Sequence, residues 1–287
     1  MKFSLNLNSD LSVEHFLEAA RLAESAGYYR LWVGESIGFG HSFPFITMAA
    51  EKTQRILVGA GILSPQLNHC HHICRAFQTL REVCGDRFAV AIAPGDILEV
   101  ESAGASTQKV VERVLNCIQE LRKLRDERKW ELPVYVGASG PRLLAEGSLL
   151  ADGVLINYVN PEFVEWALSK MKCKTFVAAY GPALLRPDGE NERFLRAAAF
   201  IVLAGANKAF LEEFGLEALA NEARENLRKG RISTERLRLS LEKFALAGDL
   251  EEIKAKFQEL EVLGVNEVIL ATPICRNLAS INALTAI

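Results

Sequence analysis

Residues Val134–Ile156 read VYVGASGPRLLAEGSLLADGVLI. This stretch begins with a short apolar run, passes through a loop of small residues, continues with helical periodicity over Arg142–Leu150 and ends in a second apolar run over Gly153–Ile156. Neither apolar run alternates with polar residues, and such uninterrupted runs are typical of parallel strands that are buried on both faces. The stretch therefore predicts one strand–helix–strand unit of a parallel sheet.

The same unit recurs along the chain of 287 residues. Strands are predicted at Lys2–Asn6, Arg30–Val33, Ile56–Gly59, Phe88–Ile92, Val134–Val136, Gly153–Ile156, Thr175–Ala179 and Glu267–Leu270. Helical periodicity is found at Ser12–Ala26, Ile73–Cys84, Thr107–Arg128, Arg142–Leu150, Pro161–Met171 and Leu250–Gly264. Strands that alternate with helices in this way favour an α/β fold, a closed (β/α)8 TIM barrel that forms a single domain over residues 1–287. An open doubly wound sheet is the alternative.

One region departs from the alternation. Residues 181–246 contain a polar turn, Arg186–Asn191, and then more helix than one barrel unit requires. We predict that this region is an insertion after the seventh strand and that it lies over the mouth of the barrel.

The composition excludes several classes of protein. Lys and Arg together number 33 and Asp and Glu 36, so the formal net charge of −3 lacks the basic excess of a general nucleic-acid binder. The longest notable uncharged apolar run, Ala197–Asn207, is about half of the ~20 residues that a membrane-spanning helix needs. The first residues, Met1–Asn6, contain no hydrophobic signal region, and the 6 cysteines form no CxxC pair. We therefore expect a cytoplasmic protein with reduced thiols and with neither nucleic acid nor membrane as a partner.

Glycine accumulates at three predicted strand ends, and the carboxyl ends of barrel strands are where active sites lie. In Gly59–Pro65, two glycines permit either the close approach of a flat ligand or a simple bulge. In Ala93–Asp96, the aspartate either caps the next helix or contacts a substrate. In Gly137–Arg142, small residues lead into a helix whose first amides can hold a phosphate, with Ser139 and Arg142 as additional ligands.

The run His69–Cys74 resembles a metal-binding cluster at first sight. Adjacent side chains on a helix cannot all face one ion, and the sequence offers no distant pair of ligands to complete the site. We therefore predict no metal site, and we interpret Cys70 and Cys74 as helix-packing residues.

Five motifs, in their order and spacing, resemble the bacterial luciferase-like superfamily: Gly59–Pro65, Gly85–Phe88, Ala93–Asp96, Leu132–Pro141 and Ala151–Asn157. Within the superfamily they are most similar to the coenzyme F420-dependent methylenetetrahydromethanopterin reductases, over essentially the whole length. The resemblance implies a (β/α)8 barrel that binds F420, or alternatively FMN, at its mouth and acts on a small-molecule substrate. It also implies a homodimer.

The resemblance assigns roles to individual positions. In the family, the step corresponding to Gly61-Ile62 is a bulge with a non-prolyl cis peptide bond that backs the deazaflavin ring. The segment corresponding to Gly137–Gly140 meets the phosphate-bearing side chain of the cofactor. The expected cofactor-binding residues are Gly61, Ile62, Leu63, Ala93, Gly95, Gly137, Ala138, Ser139, Gly140 and Arg142.

The resemblance also exposes departures. Asp96 matches an acidic residue of the family that lies near the pterin substrate, but Glu35-Ser36 stands where many members carry Asp-His. Asn6 stands where the methanopterin reductases carry a glutamate. Asp96 and Glu35 are therefore the candidate catalytic residues for handling a proton.

We expect an F420-dependent oxidoreductase that transfers a hydride between the deazaflavin and a small substrate such as a pterin. One alternative is an FMN-dependent luciferase-like monooxygenase or reductase. The other is a barrel that has lost catalysis and serves as a binding or structural subunit, because Asn6 and Ser36 replace groups that would handle protons.

Overall fold

The computed structural model describes residues 1–229 and 243–283. Eight parallel strands close into a barrel: β1 (Lys2–Asn8), β2 (Arg30–Gly34), β3 (Leu57–Leu63), β4 (Phe88–Ile92), β5 (Val134–Gly137), β6 (Gly153–Ile156), β7 (Phe176–Leu185) and β9 (Glu267–Ala271). Neighbouring strands pair in the order β6-β5-β4-β3-β2-β1-β9-β7, and a pairing between β6 and β7 closes the ring. The predicted (β/α)8 barrel is therefore confirmed, and the open sheet is excluded.

Helices cover the outside of the barrel. Their bounds are α1 (Val13–Ser25), α2 (Ser42–Lys52), α3 (Cys70–Cys84), α4 (Ile97–Ser102), α5 (Val110–Arg128), α6 (Pro141–Leu150), α7 (Pro161–Lys170), α8 (Gly189–Ala204), α9 (Lys208–Phe214), α10 (Glu217–Arg228), α11 (Leu250–Val262) and α12 (Leu278–Ala283). Within residues 1–229 and 243–283, no single helix is long and apolar enough to span a membrane. Helices α8 and α9 reach that length and composition only when they are taken together, and a bend of 107° separates them.

Several elements differ from the predicted ones for physical reasons. Helix α2 was not predicted from the sequence, because its residues, SFPFITMAAEK, form almost no polar face and include a proline in the first turn. Strand β3 continues beyond its predicted end at Gly59 and runs through both glycines to Leu63. Helix α5 begins at Val110 rather than Thr107, because Lys109 adopts a left-handed conformation with φ of 52°.

The insertion begins later than predicted. Strand β7 continues to Leu185, and a short strand β8 (Leu246–Gly248) pairs with this extension outside the barrel. Residues 230–242 of the predicted insertion lie outside the described residues. The insertion reaches the barrel mouth at two points, since the Phe194 ring lies 5.8 Å from the Arg276 guanidinium after β9 and Asn207 lies against Gly140 after β5.

Side chains inside the barrel form a separate, smaller core. Trp32, Ala89, Ala91, Tyr135, Leu155, Ala178 and Ile269 pack together within the ring of strands. Beneath the indole of Trp32 lies a buried ion pair, in which Arg30 donates to Glu267 Oε2 at 3.3 Å. Trp32 Nε1 donates to the other carboxylate oxygen at 2.8 Å. The indole is thus held from below by hydrogen bonding and fills the barrel under its mouth.

A surface carboxylate holds the turn that leads into β3. Glu24 at the end of α1 accepts hydrogen bonds from the backbone N–H groups of Gln54 (2.8 Å), Arg55 (2.6 Å) and Ile56 (3.0 Å). Partial burial alone raises the pKa of Glu24, but these backbone hydrogen bonds outweigh burial and bring the pKa below its ordinary value of 4.5.

We predict that Glu24→Gln lowers the free energy of unfolding at neutral pH by about 1–2 kcal/mol, because the bonds to a charged acceptor are lost. A lowered carboxylate pKa stabilises the fold above pH 4.5, and this contribution disappears as the pH falls through the lowered value. Urea unfolding of both proteins across that range measures the effect. The difference between them should shrink in acid, and a difference independent of pH contradicts the assignment.

Candidate functional site

The floor of the barrel mouth is the indole of Trp32, which is 1% exposed. Strand β2 pairs with β3 so that Trp32 lies opposite Gly59. A Cβ atom at Gly59 or at Gly61 would lie 2.5 Å from Cε3 of the indole. The two glycines are therefore required by a neighbouring side chain, whose position the spacing of the glycines does not indicate.

Three of the predicted cofactor-binding residues meet above this floor. The peptide bond between Gly61 and Ile62 is cis, and the register of β3 against β4 shifts there. A Cβ atom at Gly137 would lie 2.7 Å from Ala93 Cβ and 3.1 Å from Ile62 Cγ2. Ile62, Ala93 and Gly137 thus form a continuous wall of small and aliphatic groups at the ends of β3, β4 and β5.

Other predicted cofactor-binding residues do not present a side chain to the mouth. Leu63 is fully buried between the strands and the helices, and Ala138 belongs to the same outer core. Gly95 has φ of +80°, and a Cβ there would lie 2.9 Å from Ser64 Cβ, so this glycine is required by a turn. These three positions offer at most backbone groups to a ligand.

Asp96 is exposed and caps α4. Its Oδ1 accepts hydrogen bonds from the N–H groups of Leu98 (2.7 Å) and Glu99 (3.4 Å). Of the two interpretations left open by the sequence, capping is therefore the one that the geometry displays. Contact with a substrate stays a prediction.

Glu35 is half-buried at the end of β2. One carboxylate oxygen accepts from Ser42 Oγ at 3.0 Å, and the other accepts from Asn68 Nδ2. The next residue, Ser36, donates to Glu99 from α4. Two carboxylates therefore lie close to the end of this strand, and sequence reasoning missed Glu99 because only the fold brings it back to Ser36.

The loop that leads into α6 has an open helix start. Gly140 provides no side-chain cap and Pro141 occupies the first helical position, so the following amides have no capping partner in the part of the chain that the structure describes. The hydroxyl of Tyr158 donates to the Ser139 carbonyl at 3.0 Å and holds the loop from below. Arg142, in contrast, is exposed and paired with surface carboxylates from α5 and from its own helix.

Two buried amide oxygens at the mouth have no hydrogen-bond donor among residues 1–229 and 243–283: Oδ1 of Asn6 and Oδ1 of Asn157. Asn6 is 1% exposed, and its Nδ2 donates to the Trp32 carbonyl at 3.1 Å. A buried acceptor without a donor costs free energy. A ligand with N–H or O–H groups would satisfy both oxygens.

The side of the mouth formed by the ends of β1 and β9 carries neutral polar groups. Asn8 Nδ2 donates to Thr272 Oγ1 at 3.0 Å, and that hydroxyl contacts Cys275 Sγ at 3.3 Å. Burial raises the pKa of Cys275 and of Tyr180, so both groups are neutral at neutral pH. Thr272, Cys275 and Tyr180 can therefore form hydrogen bonds with a ligand but carry no charge themselves.

The histidine-rich run serves to begin a helix. His69 Nδ1 accepts from the His71 N–H at 3.2 Å and caps α3. In the described ranges, no group of three or more His, Cys, Asp or Glu side chains is placed to hold a metal ion.

Three known proteins are similar to this chain over nearly its whole length. A 5,10-methylenetetrahydromethanopterin reductase of Archaeoglobus fulgidus is 25% identical and is aligned over 96% of this chain and 94% of its own length. The solved structure of the coenzyme F420-dependent tetrahydromethanopterin reductase from Methanopyrus kandleri superposes with a TM-score of 0.82 at 20% identity, covering 99% of this chain and 97% of that one. An F420-dependent secondary alcohol dehydrogenase in complex with an F420-acetone adduct gives 0.78 at 16% identity, with coverages of 99% and 97%. At these identities the two structures show likeness of fold.

The family comparison covers most of the chain. Residues 1–267 match the family described as luciferase-like monooxygenase. The resemblance drawn from the strand-end motifs is therefore confirmed: the chain belongs to the luciferase-like monooxygenase family.

Proposed function

We propose that this protein is an F420-dependent oxidoreductase that transfers a hydride between the deazaflavin and a small substrate such as a pterin. The observation that carries the proposal is the wall formed by Ile62, Ala93 and Gly137 above the Trp32 floor. A planar ring needs such a surface, because larger side chains would keep it away from the strand ends. Several of the relatives are named as F420-dependent enzymes, and these names support F420 as the cofactor.

The described residues fit such a group chemically. The orphaned acceptors of Asn6 and Asn157 match a ligand that carries ring N–H and sugar-alcohol O–H groups. The open start of α6 fits a phosphate, because uncapped amides at a helix N-terminus attract anions. The two features lie on the same face of the barrel, so one elongated ligand can satisfy both.

When bound, the cofactor supplies the hydride chemistry at its ring. The protein's own part is to orient the ring against the wall, to exclude water with the indole below and to handle any proton that the substrate gains or loses. Glu35 and Asp96 remain our candidates for the proton. Glu35 is held in place by two neutral donors, whereas Asp96 uses one of its oxygens to cap α4 and keeps the other free of a described hydrogen bond.

Parallel titrations with F420 and FMN, followed by ligand fluorescence and absorbance, test the proposal. We expect F420 to bind about tenfold or more tightly than FMN, a difference of about 1.4 kcal/mol or more. Preferential binding of FMN, or a yellow protein as purified, supports the flavin-dependent alternative. Failure of both cofactors to bind contradicts the proposal and supports a barrel without catalysis.

A further inference from the structure

We propose that Asn6 determines which substrates bind, because its side-chain oxygen accepts a hydrogen bond from an uncharged N–H or O–H group at the innermost end of the substrate. This inference rests on the proposed function and extends it to the choice of substrate. Asn6 lies outside the five motifs that carry the family resemblance. A carboxamide neither takes up nor releases a proton near neutral pH, so this position recognises a group and does not handle a proton.

The free atom of the Asn6 side chain is its oxygen. Nδ2 donates to the Trp32 carbonyl at 3.1 Å, and a carbonyl oxygen can only accept, so the end of the amide that faces Trp32 must be the NH2 group. The other end, Oδ1, is buried and has no donor among residues 1–229 and 243–283. A buried acceptor without a donor costs free energy, which a ligand with an N–H or O–H group would recover.

The Asn6 side chain points into the barrel at the depth of the indole floor. Leu5 and Leu7, its neighbours on β1, belong to the outer core, so the alternation of a strand places Asn6 on the inner face. A Cβ atom at Gly34, the last residue of β2, would lie 3.4 Å from Asn6 Nδ2 and 3.7 Å from the carbonyl oxygen of Gly61. The amide is therefore close to the strand end at which the cofactor wall begins.

The order of the strands places Asn6 on the side of the substrate. The wall for the cofactor ring is centred on β4, and the strand four places from β4 in either direction around the closed ring is β9. A planar ring on the wall therefore turns its free face toward β9 and the adjacent β1. Hydride transfer takes place at that free face, so the substrate lies between the ring and these two strands. The orphaned oxygen of Asn6 suits either ligand chemically, and this position assigns it to the substrate.

The groups around this acceptor favour an uncharged donor. Four side chains on the side formed by β1, β9 and β7 are uncharged at neutral pH: Asn8, Thr272, Cys275 and Tyr180. Arg276, after β9, is already paired with Asp10. A carboxylate or phosphate of the substrate would meet the Asn6 oxygen as a second acceptor, whereas an amine, ring N–H or hydroxyl group would satisfy it.

The test compares lumazine, a bicyclic heterocycle with two ring N–H groups, and 1,3-dimethyllumazine, in which methyl groups replace both N–H hydrogens. Protein loaded with F420 is titrated with each probe by calorimetry, without turnover. We expect the unaltered protein to bind lumazine about tenfold or more tightly than the dimethyl compound. Asn6→Leu keeps a similar volume without the oxygen and should reduce this ratio to about twofold. The bulk of the methyl groups affects both proteins, so the change in the ratio reports the hydrogen bond.

Two control variants should keep the ratio of the unaltered protein. Ser4→Ala removes another buried, unpartnered polar group from the inner face of β1, one inward position further from the mouth. Asn266→Leu makes the same substitution at the other end of the barrel, where the amide oxygen accepts from the Val177 N–H at 2.8 Å. In all three variants the dissociation constant of F420 should change less than about threefold. Unfolding midpoints establish that each variant is folded.

The outcomes separate this inference from the proposed function. If the unaltered protein binds neither F420 nor FMN, the proposed function fails. If it binds FMN instead, protein loaded with FMN is used for the same comparison. If the loaded protein binds neither probe or both equally, or if Asn6→Leu or Ser4→Ala behaves as the other is expected to, the role of Asn6 is wrong. If Asn6→Leu weakens F420 binding about tenfold or more, the oxygen serves the cofactor and the assignment to the substrate is wrong.

Discussion

Glu267→Ala should lower the free energy of unfolding by about 3–5 kcal/mol, because it leaves the charge of Arg30 buried without a partner. Both side chains of the pair are at most 1% exposed. Burial disfavours the charged form of Arg30, but the Glu267 carboxylate, together with the hydroxyl groups of Tyr135 and Tyr29, outweighs burial and raises the pKa of Arg30. The same substitution removes the acceptor for Trp32 Nε1. Urea unfolding monitored by tryptophan fluorescence measures the loss.

A double substitution separates the charge from the acceptor. Arg30→Met with Glu267→Gln removes both charges and still offers an amide oxygen to the indole. We expect this protein to be more stable than Glu267→Ala, because a buried pair replaced as a whole costs less than a pair that has lost one member.

An exposed ion pair provides the contrast. Lys123 and Glu127 lie 3.8 Å apart on the surface of α5, and both are more than half exposed. Glu127→Ala should change the free energy of unfolding by about 0.5 kcal/mol or less. If Glu267→Ala has an effect of that same size, water must reach Arg30 and the interior of the barrel is not a closed core.

The sequence predicted the architecture well because each barrel unit carries its own local pattern. The stretch Val134–Ile156 contains a strand, a loop and a helix that can be identified without any neighbour, and the structure confirms each of them. Prediction failed where the pattern was weak. Helix α2 lacks a polar face, and the extension of β7 to Leu185 depends on pairing with β8, which lies about 60 residues further along the chain.

The site was less predictable because its geometry depends on side chains from distant parts of the sequence. The spacing Gly59-Ala60-Gly61 suggested close approach by a ligand, yet the group that lies against both glycines is the indole of Trp32 from the preceding strand. Gly140 likewise accommodates Asn207, and Arg30 of β2 pairs with Glu267 of β9, on the far side of β1. A glycine motif therefore identifies a strand end where the backbone cannot carry a larger side chain. Only the packed barrel shows which neighbouring side chain requires the glycine.

Gly61→Ala should weaken cofactor binding by about tenfold or more and lower the free energy of unfolding by about 1–3 kcal/mol, because the added methyl group overpacks a filled site. Its Cβ would lie 2.5 Å from the indole. Trp32 cannot move away without losing its hydrogen bond to Glu267, so the backbone at Gly61-Ile62 must yield. Ile62 would then leave its place in the wall beside Ala93 and Gly137. Titration with F420 and urea unfolding measure the two effects.

Gly59→Ala is the matched control for this substitution, because its Cβ meets the same indole at the same distance of 2.5 Å. Gly59 lies one inward-facing position below Gly61 on β3, away from the mouth. We therefore expect a similar loss of stability but a change of less than about threefold in the dissociation constant of F420. Equal weakening by both substitutions would assign the cofactor surface to the indole instead of Gly61-Ile62. Unchanged binding in Gly61→Ala would remove this step of β3 from the cofactor site altogether.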